Sequence, residues 1–154
     1  MIITNEKLNI KIYNPPDFVK SFEKNLEKVI YQFQIEFDVK KIDAEISFID
    51  EKDIEKINKK FRGKESATNV LSFPDEENNE ISNICVGEML ICEKVLLQEA
   101  QESGKKPINH FLHLLIHSFL HIMGFGHEIE NDAILMERKE IEFLSKIGIS
   151  DPYK

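Results

Sequence analysis

A chain of 154 residues, 42% apolar and 31% charged, is long enough for one domain with its own core and too mixed in composition for a low-complexity protein. A net charge of −8 has the wrong sign for holding a polyanion by bulk attraction, so any nucleic-acid contact has to come from a local basic patch. Cys85 and Cys92 fit neither a C-x-x-C motif nor a disulfide framework and read as reduced core residues of a cytoplasmic protein.

The first residues, Met1 to Lys7, lack the basic-then-apolar order of a signal peptide. Leu8, Ile10 and Ile12 alternate with polar residues and predict a half-buried strand, stopped by Pro15-Pro16. With Asp17 as cap, Phe18, Phe22, Leu26, Val29, Ile30 and Phe33 recur at helical spacing and predict one amphipathic helix over 18–34. Residues 42–49 read as a second strand. Asp50 caps a short helix that should bury Ile54, Ile57 and Phe61.

Lys56, Lys59, Lys60, Arg62 and Lys64 put five positive charges within nine residues. A lysine run is usually a solvated helix face. Arg62-Gly63-Lys64 differs because it falls in a predicted loop, where glycine lets the backbone approach a ligand. The guanidinium fork matches phosphate oxygens, so Arg62 is a candidate for binding phosphate and for catalysis, and Lys64 for binding.

Val70-Leu71-Ser72-Phe73 is a third strand closed by Pro74, and Asp75 to Glu80 a polar loop. Residues 84–91 form a fourth strand. Within it Glu88 could face inward and orient a metal-bound water or a ligand histidine, or could be an ordinary outward strand residue. A helix through Val95, Leu96, Glu99 and Ala100 ends at Gly104.

Pro107 suits the first turn of the next helix, which runs to Met123 and is apolar nearly all round, as a buried helix should be. Its apolar stretch, Phe111 to Phe125, is too short to span a bilayer. His117 and His121 lie one turn apart on one face, a spacing that brings two imidazoles to one metal ion. Gly124 can end the helix in a left-handed conformation and return the chain so that His127 becomes a third ligand. Three protein ligands leave a position open, which is the pattern of a catalytic zinc, one per chain. His110 and His113 share that face and are either packed, or support the ligands, or face substrate. A last helix carries Ile134, Leu135, Ile141, Leu144 and Ile147 and stops at Gly148. The order of elements predicts a single domain over 1–154 of the α/β or α+β kind: a small mixed sheet of about four strands packed against five or so helices, with the histidine helix central and buried.

These motifs together resemble the YbeY family of rRNA-maturation endoribonucleases. His117, His121 and His127 look like its three-histidine motif, and Phe61 to Pro74, with Arg62-Gly63-Lys64 at its start, like its other signature. Val86-Gly87-Glu88-Met89-Leu90-Ile91 is similar to its glycine-acidic strand, and Gly148 to Tyr153 to its tail. Ser118, Gly126 and Glu88 depart from the usual glycine and aspartates, without removing a ligand. The resemblance implies an α+β fold, zinc, and cleavage of single-stranded RNA in 16S rRNA 3′-end processing and ribosome quality control. It also implies the small ribosomal subunit and its assembly factors as partners, with neither DNA nor a membrane.

Two other functions fit part of the pattern. H-x-x-x-H-x-x-G-x-x-H is also metzincin spacing, but a metalloprotease needs a glutamate where Ser118 stands. A ribosome-associated binding factor would use zinc to organise an RNA groove without turnover; an open coordination position favours catalysis over it.

Overall fold

The computed structural model describes residues 1–75, 83–125 and 130–154, leaving aside the side chains of 130–132. The predicted loop after Asp75 and the predicted ligand His127 lie outside the described residues.

The described elements are β1 (Ile2–Asn5), β2 (Leu8–Tyr13), α1 (Asp17–Lys20), α2 (Glu23–Glu36), β3 (Lys41–Ile49), α3 (Glu51–Arg62), β4 (Val70–Pro74), β5 (Ile84–Cys92), α4 (Glu93–Glu102), α5 (Pro107–Ile122) and α6 (Glu130–Lys146). The five strands form one mixed sheet in the order β1-β2-β3-β5-β4. β2, β3 and β5 run parallel at its centre, with Ile10 beside Ala44 and Ala44 beside Gly87. β1 and β4 pair antiparallel at the two edges.

The architecture is the α+β one expected, with one more strand. β1 contributes only Ile3 to the core, so its sequence has no alternation to betray it. The predicted first helix is two: α1 ends at Lys20, and the chain re-enters a helix at Glu23 after Ser21 and Phe22.

Parity decides which side of the sheet each residue serves, because successive strand residues point to opposite faces. Ile10, Ile12, Ile46, Phe48, Met89 and Ile91 bury against α2, α5 and α6, in a cluster that includes Phe33, Phe111, Phe119 and Phe143. The other face, at the β4–β5 edge, is covered by α3 through Ile54, Leu71 and Cys92, with Phe73 and Leu90 packed against them. Both cysteines are buried free thiols, and burial pushes the Cys85 thiol well above the ordinary range. No helix among the described residues is long and apolar enough to cross a membrane.

Two local predictions are corrected. Asp50 does cap α3, its Oδ1 accepting from the Asp53 amide at 2.8 Å. Phe61, however, is 61% exposed, because it belongs to the last turn of α3, where the helix runs past the core it covers. In α6, Ile134 and Leu135 are 50% and 44% exposed, while the inward stripe is Met136, Glu140, Phe143 and Leu144.

Candidate functional site

α5 is buried along nearly its whole length, and the exception has a period. His113, His117 and His121, four residues apart, are half-buried while their neighbours from Leu114 to Leu120 are buried. An apolar helix with one histidine stripe has a single direction in which its imidazoles can look. That direction is a cavity of about 500 Å³ lined by His113, His117 and His121 from α5, Arg62 from α3, Val70 and Ser72 from β4, Thr68 and Asn69 from the preceding loop, and Tyr153 from the C-terminal turn.

The helix ends as its sequence predicts. Gly124 takes a φ of 95°, its amide donating to the His121 carbonyl at 3.0 Å, and the Phe125 amide donates to the Leu120 carbonyl at 3.1 Å. This pair of bonds is the Schellman stop, and it turns the chain away immediately beyond the second histidine. His127, the expected third ligand, lies outside the described residues.

Arg62 reaches the cavity, though not from a loop. It is the last residue of α3, capped by Gly63 at a φ of 70°. Among the described residues it forms no ion pair, whereas Lys59 pairs with Glu65 at 2.7 Å. Lys64, one residue past the cap, is exposed and does not line the cavity. The loop after it is pinned by the buried Asn58, whose Nδ2 donates to the Ser66 carbonyl at 2.8 Å. That holds Thr68 and Asn69 in place.

The structure does not bring Glu88 to the histidines. Gly87 is the residue of that pair that faces α5: a Cβ there would stand 3.2 Å from Ile122 Cγ2 and 2.6 Å from the Phe73 carbonyl oxygen. Glu88, one step along the strand, therefore points to the α3 side, where it is exposed in a groove with Asp43, Glu45 and Asp75. Of the two orientations open to Glu88, strand parity gives the outward one, so its candidate role beside the histidines is corrected.

A carboxylate does meet the histidine stripe, and it comes from a residue the sequence did not single out. Glu140, fully buried on α6, accepts from His117 Nδ1 through Oε1 and from the Tyr153 hydroxyl through Oε2. With its proton on Nδ1, His117 carries its lone pair on Nε2. His113 Nε2 lies 3.4 Å from the Tyr153 oxygen, and the two rings meet edge to face. Burial first, then the positive charge of neighbouring groups, lowers the His113 pKa to about 4, against the opposing pull of Glu140. It is thus a neutral ring at physiological pH. His110 sits behind the cavity wall: its Nε2 and the Asn69 amide both contact Glu99 Oε1 at 2.9 Å. The Asn69 side chain is thereby fixed, its Oδ1 accepting from the Val70 amide at 2.7 Å.

Glu140 escaped sequence reading because a glutamate in a helix is ordinarily solvated. The signal was its place in the stripe with Met136, Phe143 and Leu144, at spacings of four, three and four.

Fold and site together define an α+β domain whose polar cavity joins a helical histidine pair to a guanidinium. The profile of the family described as Endoribonuclease YbeY matches residues 2–148, and the chain belongs to that family. Endoribonuclease YbeY of Colwellia psychrerythraea is 43% identical over 108 residues, covering 70% of this chain and 70% of that one. Its counterpart in Neisseria meningitidis serogroup B is 39% identical over 119 residues, covering 75% and 70%. The solution structure of TM1509 from Thermotoga maritima superposes with a TM-score of 0.62 over 94% of this chain and 99% of that one, and at 22% identity it shares the fold.

Proposed function

We propose that this protein is a zinc-dependent, single-strand-specific endoribonuclease that matures ribosomal RNA at the 3′ end of 16S rRNA and serves ribosome quality control. Membership of the family makes it an endoribonuclease, a hydrolase acting on RNA. The observation that carries the finer reading is the meeting of Arg62 with His117 and His121 in one cavity.

His117, His121 and, from the sequence spacing, His127 are the residues that would hold the zinc. They fit it: two imidazoles at i, i+4 on a rigid helix, one of them held by a buried carboxylate in the tautomer that presents Nε2. When bound, the ion supplies Lewis acidity and a water that ionises near neutral pH. The rest falls to the chain. Arg62 neutralises the negative charge that grows on the phosphoryl oxygens. Thr68, Asn69 and Ser72 line the cavity with hydrogen-bonding groups for the RNA backbone, and Asn69 is held ready by Glu99. A protein with a net charge of −8 reaches RNA through such a site rather than through its surface at large. Its partners in this reading are single-stranded rRNA, the small ribosomal subunit and the subunit's assembly factors, in the cytoplasm.

The metalloprotease reading loses further ground. Ser118, which stands where that mechanism needs its general base, is fully buried and does not line the cavity. The test is turnover on a defined single-stranded RNA, its duplex and a casein-like peptide, each with and without zinc. Cutting of the single strand alone, and only with zinc, is expected. RNA that is bound but never cut would make the protein an assembly factor instead, and cut peptide would make it a protease.

A further inference from the structure

The turn that follows α6 is tied to the site by hydrogen bonds of its own. The Tyr153 amide donates to Asp151 Oδ1 at 2.8 Å, and Lys105 Nζ, from the α4–α5 turn, donates to the Pro152 carbonyl at 3.2 Å. These bonds set Tyr153 over the histidine helix, where its ring meets His113 edge to face with centroids 5.4 Å apart. The ring is 44% exposed, yet its hydroxyl is committed to Glu140.

Glu140 is the hub. Its side chain is fully buried, and a buried carboxylate needs donors on both oxygens. His117 on α5 supplies one and Tyr153 the other, so two separate pieces of chain converge on a carboxyl group carried by a third. The geometry is directional. With Oε2 occupied by the phenol, the carboxyl plane is fixed and Oε1 stays aimed at His117 Nδ1. Without the phenol, Oε2 is unsatisfied, and the carboxyl gains by rotating or by taking up water.

We propose that Tyr153 is a positioning residue for the histidine site: by donating to Glu140 Oε2 it holds Oε1 as the acceptor for His117 Nδ1–H, and so fixes the His117 tautomer that presents Nε2 to a metal cation. The phenol suits the task because burial and the bond to Glu140 push its ionisation far above the ordinary tyrosine value, leaving it a permanent donor. The inference rests on the reading of the cavity as a cation site, but the tautomer is observable without any cation.

Tyr153→Phe removes the hydroxyl and keeps the ring that packs against His113. On the full chain dialysed against chelator at mildly alkaline pH, long-range ¹H–¹⁵N spectra should show His117 as a single Nδ1–H tautomer in the wild type. In Tyr153→Phe they should show a mixture with Nε2–H. Zinc affinity, from competition with a chelating dye, should fall about 10-fold, the lower end of what loss of a ligand's supporting partner costs. Glu140→Gln, which keeps the size and removes the charge, should fall further, toward 100-fold. A wild-type tautomer in Tyr153→Phe overturns the proposal, as does unchanged zinc affinity in a chain whose wild type binds zinc. A tautomer shift in a chain that takes up no zinc supports the role of Tyr153 and refutes the metal reading alone.

Discussion

Arg62→Ala separates chemistry from folding. In the structure the guanidinium ends α3, lines the histidine cavity and forms no ion pair among the described residues. Removing it therefore breaks no buried pair. What is lost for stability is a cation in the last helical turn, worth about 0.3–1 kcal/mol against the helix dipole, so melting should shift by only a few degrees. Zinc content should not change, since a cation does not ligate a cation. Against RNA the loss is of another order. One charge-stabilising donor removed from a phosphoryl transition state costs about 10²-fold or more in rate, close to 2.7 kcal/mol. Arg62→Lys should recover part of this, because an ammonium keeps the charge and loses the fork. The salt dependence of RNA binding should become shallower by about one phosphate contact. Single-turnover cleavage of a short single-stranded RNA at several salt concentrations measures all of it. A variant that melts like the wild type and cuts at the wild-type rate would refute the assignment of Arg62 to the phosphate.

Three further outcomes follow from particular atoms. Gly87→Ala places a Cβ 2.6 Å from the Phe73 carbonyl oxygen, a backbone atom that can yield only by shifting β4, so stability should fall by about 1–3 kcal/mol in denaturant titration; an unchanged midpoint would show that the strands are looser than drawn. Ser118 buries a hydroxyl with no hydrogen-bond partner among the described residues, so Ser118→Ala should stabilise the fold by about 1 kcal/mol and raise Tm by about 2–4 °C; a drop in Tm would mean the hydroxyl is satisfied. The His113 pKa is lowered from 6.5 to about 4, so between those values the unfolded chain takes up the proton more readily than the folded one. His113 therefore favours the native state fully above pH 6.5, and that contribution is lost as the pH falls through the window. Denaturation of wild type and His113→Asn across it should show a shallower loss in the variant, and parallel curves would contradict the burial of a neutral ring.

How far the sequence could be read depended on whether a residue's role was written in its spacing. The histidine helix was legible because His113, His117 and His121 recur at every fourth position of an otherwise mostly apolar run, and Gly124 marked its end. Arg62 was identified as the cavity's cation while its setting was misread as a loop, since Gly63 ends α3 one residue later than expected. The orientation of Glu88 stayed open in the sequence because one step along β5 separates the α5 side from the α3 side, and Gly87 takes the inner place. β1 was invisible because a four-residue edge strand with one core residue has no pattern. Glu140 and Tyr153 meet only through tertiary packing of α6 and the C-terminal turn on α5, and no local spacing encodes that encounter.

The most direct measurement of the central claim is cleavage of one defined single-stranded RNA by the chelator-treated protein before and after zinc is restored, beside His121→Ala treated identically and confirmed to be folded. Activity that disappears on chelation, returns with about one equivalent of zinc, and never returns in His121→Ala is the outcome the account predicts. Full activity in the zinc-free protein, or full recovery in His121→Ala, would contradict it.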